Sequence, residues 1–95
     1  MTMKYLMIYE AEGMNLALAR ANYPAHRARI DEFHGRGSML ASGPIVDEAG
    51  LPAGMALGVF TTREAAEEFV AGDPFVINGA VSRWRIENWN EVLLP

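Results

Sequence analysis

His26 and Asp73 are the residues whose type and placing could do chemistry. His26 falls in a run where Tyr23, His26, Ile30 and Phe33 recur at spacings of three and four, one stripe of a helix. An imidazole on an apolar stripe faces the protein interior and needs a hydrogen-bond partner there. Asp73 follows Phe69 by four and continues the inner stripe of a second helix. A carboxylate in that place meets the negative end of the helix and calls for compensation. Two compensations are open and compatible. Asp73 can cap a further turn that has Pro74 in its first position, or it can face a cation or the imidazole of His26. As a pair, the carboxylate would hold one imidazole tautomer and raise its basicity, as the orienting acid does in a triad. The plainer alternative is a histidine and an aspartate that only satisfy each other.

Other candidates are thinner. Arg20 precedes His26 by six and either folds over a cleft to bind an anionic group or is a solvated surface residue. Ser42 stands beside Gly43-Pro44 and could line such a cleft, or be an ordinary strand serine. His34 reads as a helix-end residue. His26 and His34 are eight apart with no HExxH pattern and no cysteine, which speaks against zinc. Neither GxGxxG nor GxxxxGK[ST] occurs, so no phosphate cradle is expected, and without GxSxG no hydrolase elbow is read. Tyr5, Tyr9, Phe75, Trp84 and Trp89 are core or interface residues by default, any of which could line a pocket for a flat ligand.

The elements that must position these residues follow from periodicity. Lys4 to Tyr9 reads as a strand apolar on both faces, hence covered on both. Glu10 to Asn15 is a loop, and Leu16 to Arg20 carries a weak helical signal. The first helix is expected from Pro24, with Asn22 as its cap, to the glycines Gly35 and Gly37. Ser38 to Ile45 is the second strand, where Pro44 marks its end or an edge position. Val46 to Pro52 is a hairpin connection, and Gly54 to Phe60 the third strand. Thr61 and Glu64 have capping-box spacing and open a helix with Ala65, Ala66, Phe69 and Val70 inside, closed by Gly72 and Pro74. Ser82 to Leu93 is a last strand. The order βαββαβ predicts an α+β, ferredoxin-like sheet with helices on one face. Residues 1–95 are expected to form a single domain.

Composition bounds the partners. Hydrophobic residues make up 51% and charged residues 21%, the balance of a folding globular domain. A net charge of -4 with scattered Lys and Arg weighs against nucleic acid and anionic membranes. The N-terminal apolar run is too short for a signal peptide or a membrane span. The absence of cysteine removes thiolate chemistry and fits a cytoplasmic protein. A chain of 95 residues, with strands apolar on both faces, points to a second subunit as cover, so a homodimer is expected.

The ordered set KYLMIYE, Arg20 with His26, LASGPI, and Asp73-Pro74-Phe75 within FTTREAAEEFVAGDPFVINGAV resembles the YCII-related family over nearly the whole chain. The resemblance implies a dimeric α/β barrel of ferredoxin-like subunits. It also implies His26 and Asp73 as an active-site pair, in a pocket lined by the Gly43-Pro44 strand end. The family has been linked to dehydrochlorination of hydroxylated chloroaromatics, acid/base chemistry that needs no cofactor. Two departures stand out: Ser42 just before Gly43-Pro44, and Phe75 where tyrosine is common, which removes a phenolic hydroxyl.

Three readings follow. The first is a small enzyme in which His26, oriented by Asp73, moves a proton on a small polar or aromatic substrate. Arg20, Ser42, Gly43, Pro44 and Phe75 would bind that substrate in an elimination, isomerisation or hydrolysis. The second is a non-catalytic small-molecule-binding or regulatory module using the same pocket. The third is an interaction dimer whose sealed His26–Asp73 pair has no cavity beside it.

Overall fold

The computed structural model describes residues 3–94; Met1, Thr2 and Pro95, at the ends of the expected domain, lie outside the described residues. The strands are β1 (Lys4–Tyr9), β2 (Met39–Val46), β3 (Pro52–Phe60) and β4 (Trp84–Trp89). The α-helices are α1 (Leu16–Gly35), α2 (Arg63–Gly72) and the single turn α3 (Pro74–Ile77), and a 3₁₀ turn spans Ala11–Gly13. The sheet is antiparallel throughout in the order β2-β3-β1-β4. The fold is thus α+β, with the βαββαβ order of the ferredoxin-like plan.

The helices lie on the face that carries Met7, Tyr9, Met39 and Phe60, which join Phe33, Phe69 and Val70 in one core. Phe33 and Phe69 meet edge to face with centroids 5.2 Å apart, and Phe60 tilts against Phe69 at 5.5 Å. Such pairs add about 0.5–1.5 kcal/mol each beyond their area. Arg29 of α1 crosses to α2, where its guanidinium donates to the carbonyls of Phe69 (3.1 Å) and Glu68 (2.8 Å). Those carbonyls belong to the last turns of α2, which leave acceptors without intrahelical donors. Gly72 leaves room for this contact, because a Cβ there would meet the Arg29 guanidinium and displace it.

Boundaries differ from the sequence reading at α1, α2 and β4, and the hairpin strands β2 and β3 reach one and two residues past their expected ends, to Val46 and from Pro52. Helix α1 begins eight residues before Pro24, with the Asn15 side chain accepting from Leu18 N–H at 3.1 Å as the cap. Pro24 therefore lies inside the helix, and Asn22 is not its cap. Asn22 instead donates to the Leu18 carbonyl (2.8 Å) and accepts from Asn78 (2.7 Å), which ties α1 to the end of α3. Helix α2 is capped by Thr62, which accepts from Ala65 N–H at 3.0 Å, so the Thr61–Glu64 box does not form. The last strand is Trp84–Trp89 and not Ser82–Leu93. The glycine stop of α1 forms as expected: Gly37 takes φ +78° while Ser38 N–H and Gly37 N–H reach back to the carbonyls of Phe33 and His34.

Strand β2 is an edge strand, which accommodates Pro44 inside it. A register shift between Met39 and Ala41 changes its alternation. Met39 pairs with Phe60, Ser42 with Gly58 and Pro44 with Ala56, so Met39, Ser42 and Pro44 share the helix-side face. Strict alternation would have put Met39 and Ser42 on opposite faces. The extra residue re-aims the Ser42–Pro44 segment under α1.

Candidate active site

Asp73 joins α2 to α3. It is fully buried, and its side chain accepts from Phe75 N–H at 3.1 Å, the capping role expected of it. Its carboxylate also meets His26, which is 7% exposed: Nδ1 lies 2.8 Å from Oδ1 and 3.0 Å from Oδ2. The Tyr9 hydroxyl of β1 donates to Oδ2 at 2.5 Å. The Tyr9 hydroxyl and Phe75 N–H both donate to this one carboxylate, the set of partners an ionised acceptor takes. Nδ1 of His26 then carries the proton, and Nε2 is the ring atom left for other partners. The Tyr9 phenol is held protonated far above its ordinary range, first by burial and then by the charge of Asp73 and the hydrogen bond to it.

The imidazole is clamped in the plane as well as at Nδ1. Phe75, the second residue of α3, stacks on it at 3.7 Å between centroids with 5° between planes. Phe69 meets it edge-on at 6.1 Å. Tyr23, expected on the inner stripe, is 48% exposed and stands beside the ring at 6.2 Å. The stripe is only partly buried, and a gap lies between α1 and the strands β2 and β3.

That gap is a cavity of about 790 Å³. It is lined by His26, Tyr9 and Phe75, by Arg20, and by Ser42, Gly43 and Pro44. The expected site residues therefore all border it except Asp73, which is held by His26, whereas of the aromatics named as possible pocket walls Tyr5, Trp84 and Trp89 do not. Much of the remaining wall is apolar, including Met7, Met14, Met39 and Met55, side chains that adapt to a ligand and contact aromatic rings through sulfur. Arg20 forms no hydrogen bond or ion pair with the described residues, whereas Arg27, Arg29, Arg36, Arg63, Arg83 and Arg85 all do. His34 also borders the cavity, with Nδ1 donating to the Met39 carbonyl at 2.9 Å. It is thus more than a charge at a helix end. Among the described residues no group of three or more His, Asp or Glu could hold a metal ion, and no helix is long and apolar enough to cross a membrane.

Sequence reasoning named Tyr9 as a core or interface aromatic that could line a pocket, and missed its hydrogen bond to Asp73. The signal was present: Tyr9 shares a strand face with Met7, and a tyrosine buried there needs a partner for its hydroxyl. The ring stack of Phe75 on His26 had no signal, since it depends on how α3 leaves α2.

A sheet of this order, two covering helices and a His–Asp contact beside a cavity define a small ferredoxin-like α+β domain. The profile of the YCII-related domain matches residues 3–90, and the chain belongs to that family. Comparison with curated proteins finds no match. Among solved structures, the chain is similar to 5-chloro-2-hydroxyhydroquinone dehydrochlorinase (TftG) from Burkholderia phenoliruptrix AC1100, in complex with 2,5-dihydroxybenzoquinone. The identity is 18% and the TM-score 0.72, over 94% of this chain and 95% of that chain. An antibiotic biosynthesis monooxygenase is similar at 15% identity and TM-score 0.59, over 96% and 99% of the two chains. Protein SO0527 from Shewanella oneidensis follows at 14% and 0.52, over 92% and 87%. At these identities the likeness is one of fold.

Proposed function

We propose that the chain is a cofactor-independent acid/base enzyme acting on a small hydroxylated, anionic or aromatic ring compound. The observation that carries this reading is the cavity beside a histidine whose Nδ1 is already held by a buried carboxylate. Nε2 takes a proton from the substrate and returns one to it. Asp73 keeps its charge and steadies the imidazolium, a positioned contribution of roughly 10²–10⁴ in rate. Arg20 neutralises an anionic substituent, while Ser42, Gly43, Pro44 and Phe75 form walls against the ring. The likeness to a dehydrochlorinase supports elimination as the reaction class. For a chlorinated hydroxyhydroquinone, the base takes a hydroxyl proton and delivers one to the carbon bearing chlorine. Loss of a second hydroxyl proton then expels chloride, so that only hydrogen chloride leaves and no oxidant is used.

The cavity argues against a sealed pair that serves packing alone. A non-catalytic module binding the same ligand class is the second reading, favoured by the apolar wall. Incubation with 5-chloro-2-hydroxyhydroquinone, read as chloride release, separates the two. The native chain releases chloride, and His26→Ala and Asp73→Asn each abolish release while staying folded. Binding of 2,5-dihydroxybenzoquinone with no release favours the module, and equal release by both variants ends the acid/base reading.

The subunit is further proposed to pair with a second copy into a dimeric α/β barrel. By alternation Leu6, Ile8, Leu57 and Val59 point to the sheet face opposite the helices. A second sheet would cover this apolar row and hold the protein as a homodimer, at home in the cytoplasm.

A further inference from the structure

We propose that Tyr9 is a positioning residue of the pair: its hydroxyl shares the Asp73 carboxylate with His26 and sets how much negative charge is left to polarise the imidazole. The claim deepens the acid/base reading above and rests on it for its purpose, though not for its test.

The geometry is specific. Oδ2 of Asp73 receives the Tyr9 hydroxyl at 2.5 Å and lies 3.0 Å from His26 Nδ1, while Oδ1 lies 2.8 Å from Nδ1 and receives Phe75 N–H at 3.1 Å. One oxygen is therefore divided between phenol and imidazole. Donors that share an acceptor weaken each other, because each draws off part of the same charge. Tyr9 is fully buried, so no water replaces its hydroxyl, and the low local dielectric strengthens its hold on the carboxylate. The phenol also fixes the carboxylate plane, so that both oxygens stay turned to Nδ1. The charged groups around this centre are few. Arg29 acts on Tyr9 from α1, and Asp73 itself lies between α2 and α3.

Two consequences pull in opposite directions. Tyr9 keeps the imidazole aligned, and it keeps the carboxylate from taking the Nδ1 proton for itself. An aspartate with no competing donor would hold His26 more strongly but less well aligned. The phenol thus trades some charge on His26 for a fixed ring, which suits a base that must both accept and return a proton at Nε2. Tyr9 also borders the cavity, yet its hydroxyl is spent on Asp73.

Low-field proton NMR of the full chain tests this without any substrate. His34→Asn removes the other imidazole, so labelling with ¹⁵N-histidine assigns His26 Nδ1–H. The native pair is expected to give low-field resonances for Tyr9 O–H and His26 Nδ1–H. In Tyr9→Phe the first is lost and the second moves downfield, because the carboxylate is no longer shared. Should Tyr9→Phe not fold, uniform 3-fluorotyrosine labelling keeps the shape and strengthens the phenol as a donor; the Nδ1–H resonance then moves upfield. An Nδ1–H resonance unmoved in the folded Tyr9→Phe chain, or in the fluorotyrosine chain, overturns the proposal and leaves Tyr9 a packing residue. Failure of the acid/base reading would show differently, as a native chain that releases no chloride but keeps these resonances.

Discussion

His26 Nδ1 lies 2.8 Å from Asp73 Oδ1 across 47 residues of sequence, with the Tyr9 hydroxyl and Phe75 N–H on the same carboxylate. Asp73 is thus the hub of the contact and His26 one of its three partners. The hub and the partner differ in what their removal costs.

Asp73→Ala strands a buried hydroxyl, the first free N–H of α3 and the imidazole N–H together, at a cost of about 3–5 kcal/mol. His26→Ala leaves the carboxylate with two donors and costs about 1–3 kcal/mol. Urea unfolding of the two variants gives the order, and a less stable His26→Ala would contradict it.

Tyr9 makes stability fall at high pH. Its phenol is raised in the folded chain above the ordinary 10.0, so the folded state holds this proton more tightly than the unfolded state. Stability from this source is complete below pH 10 and declines above it, as the unfolded phenol ionises and the folded one does not. The slope is about 1.4 kcal/mol per pH unit. Unfolding titrations of the native chain and Tyr9→Phe between pH 9 and 11 compare the two, and the variant lacks this component of the loss.

Arg20→Ala tests the one arginine with no partner among the described residues. Nothing folded depends on its guanidinium, so stability stays within about 0.5 kcal/mol. Affinity for 2,5-dihydroxybenzoquinone, an acidic ring compound, falls about tenfold for the loss of one charge-assisted contact. Calorimetry reads both, and unchanged affinity would remove Arg20 from the site.

Phe75→Leu keeps apolar volume but removes the face that lies 3.7 Å from His26. The expected loss is about 0.5–1.5 kcal/mol of stability. A wider range of His26 ring positions should accompany it, read as broadened imidazole resonances. A sharp, unshifted His26 spectrum would mean that Asp73 alone holds the ring.

Leu6→Glu places a charge on the sheet face away from the helices. If a second copy covers that face, sedimentation equilibrium moves from about twice the chain mass to the chain mass. A native chain that sediments as a monomer removes the barrel assembly.

Much of the plan was legible in the sequence because it is local. The apolar alternation of Lys4 to Tyr9 and Gly54 to Phe60, the stripe of α2 and the glycine stop of α1 all follow from neighbours within a turn or two. At the helix starts, the signal read first lost to another local one, the caps at Asn15 and Thr62. Pro24 reads as a helix start on its own, yet the turns before it are held by the Asn15 cap and the tie from Asn22 to Asn78. The shift at Leu40 that turns Ser42 under α1 depends on β3, which no local pattern reports.

For the site, the sequence by itself determined that a histidine on one helix and an aspartate at the end of another would face the same side of a sheet. It also fixed the cap that Asp73 supplies to α3, since Asp-Pro sets that turn with its own atoms. Only the tertiary structure decided that the two residues meet, that Tyr9 shares the carboxylate, that Phe75 stacks on the ring, and that a cavity opens beside it. The reason is physical. Capping and periodicity are set by residues a few positions apart. A hydrogen bond across 47 residues, and the empty space beside it, depend on how helix axes sit over strands, and that is fixed by the packing of the whole core.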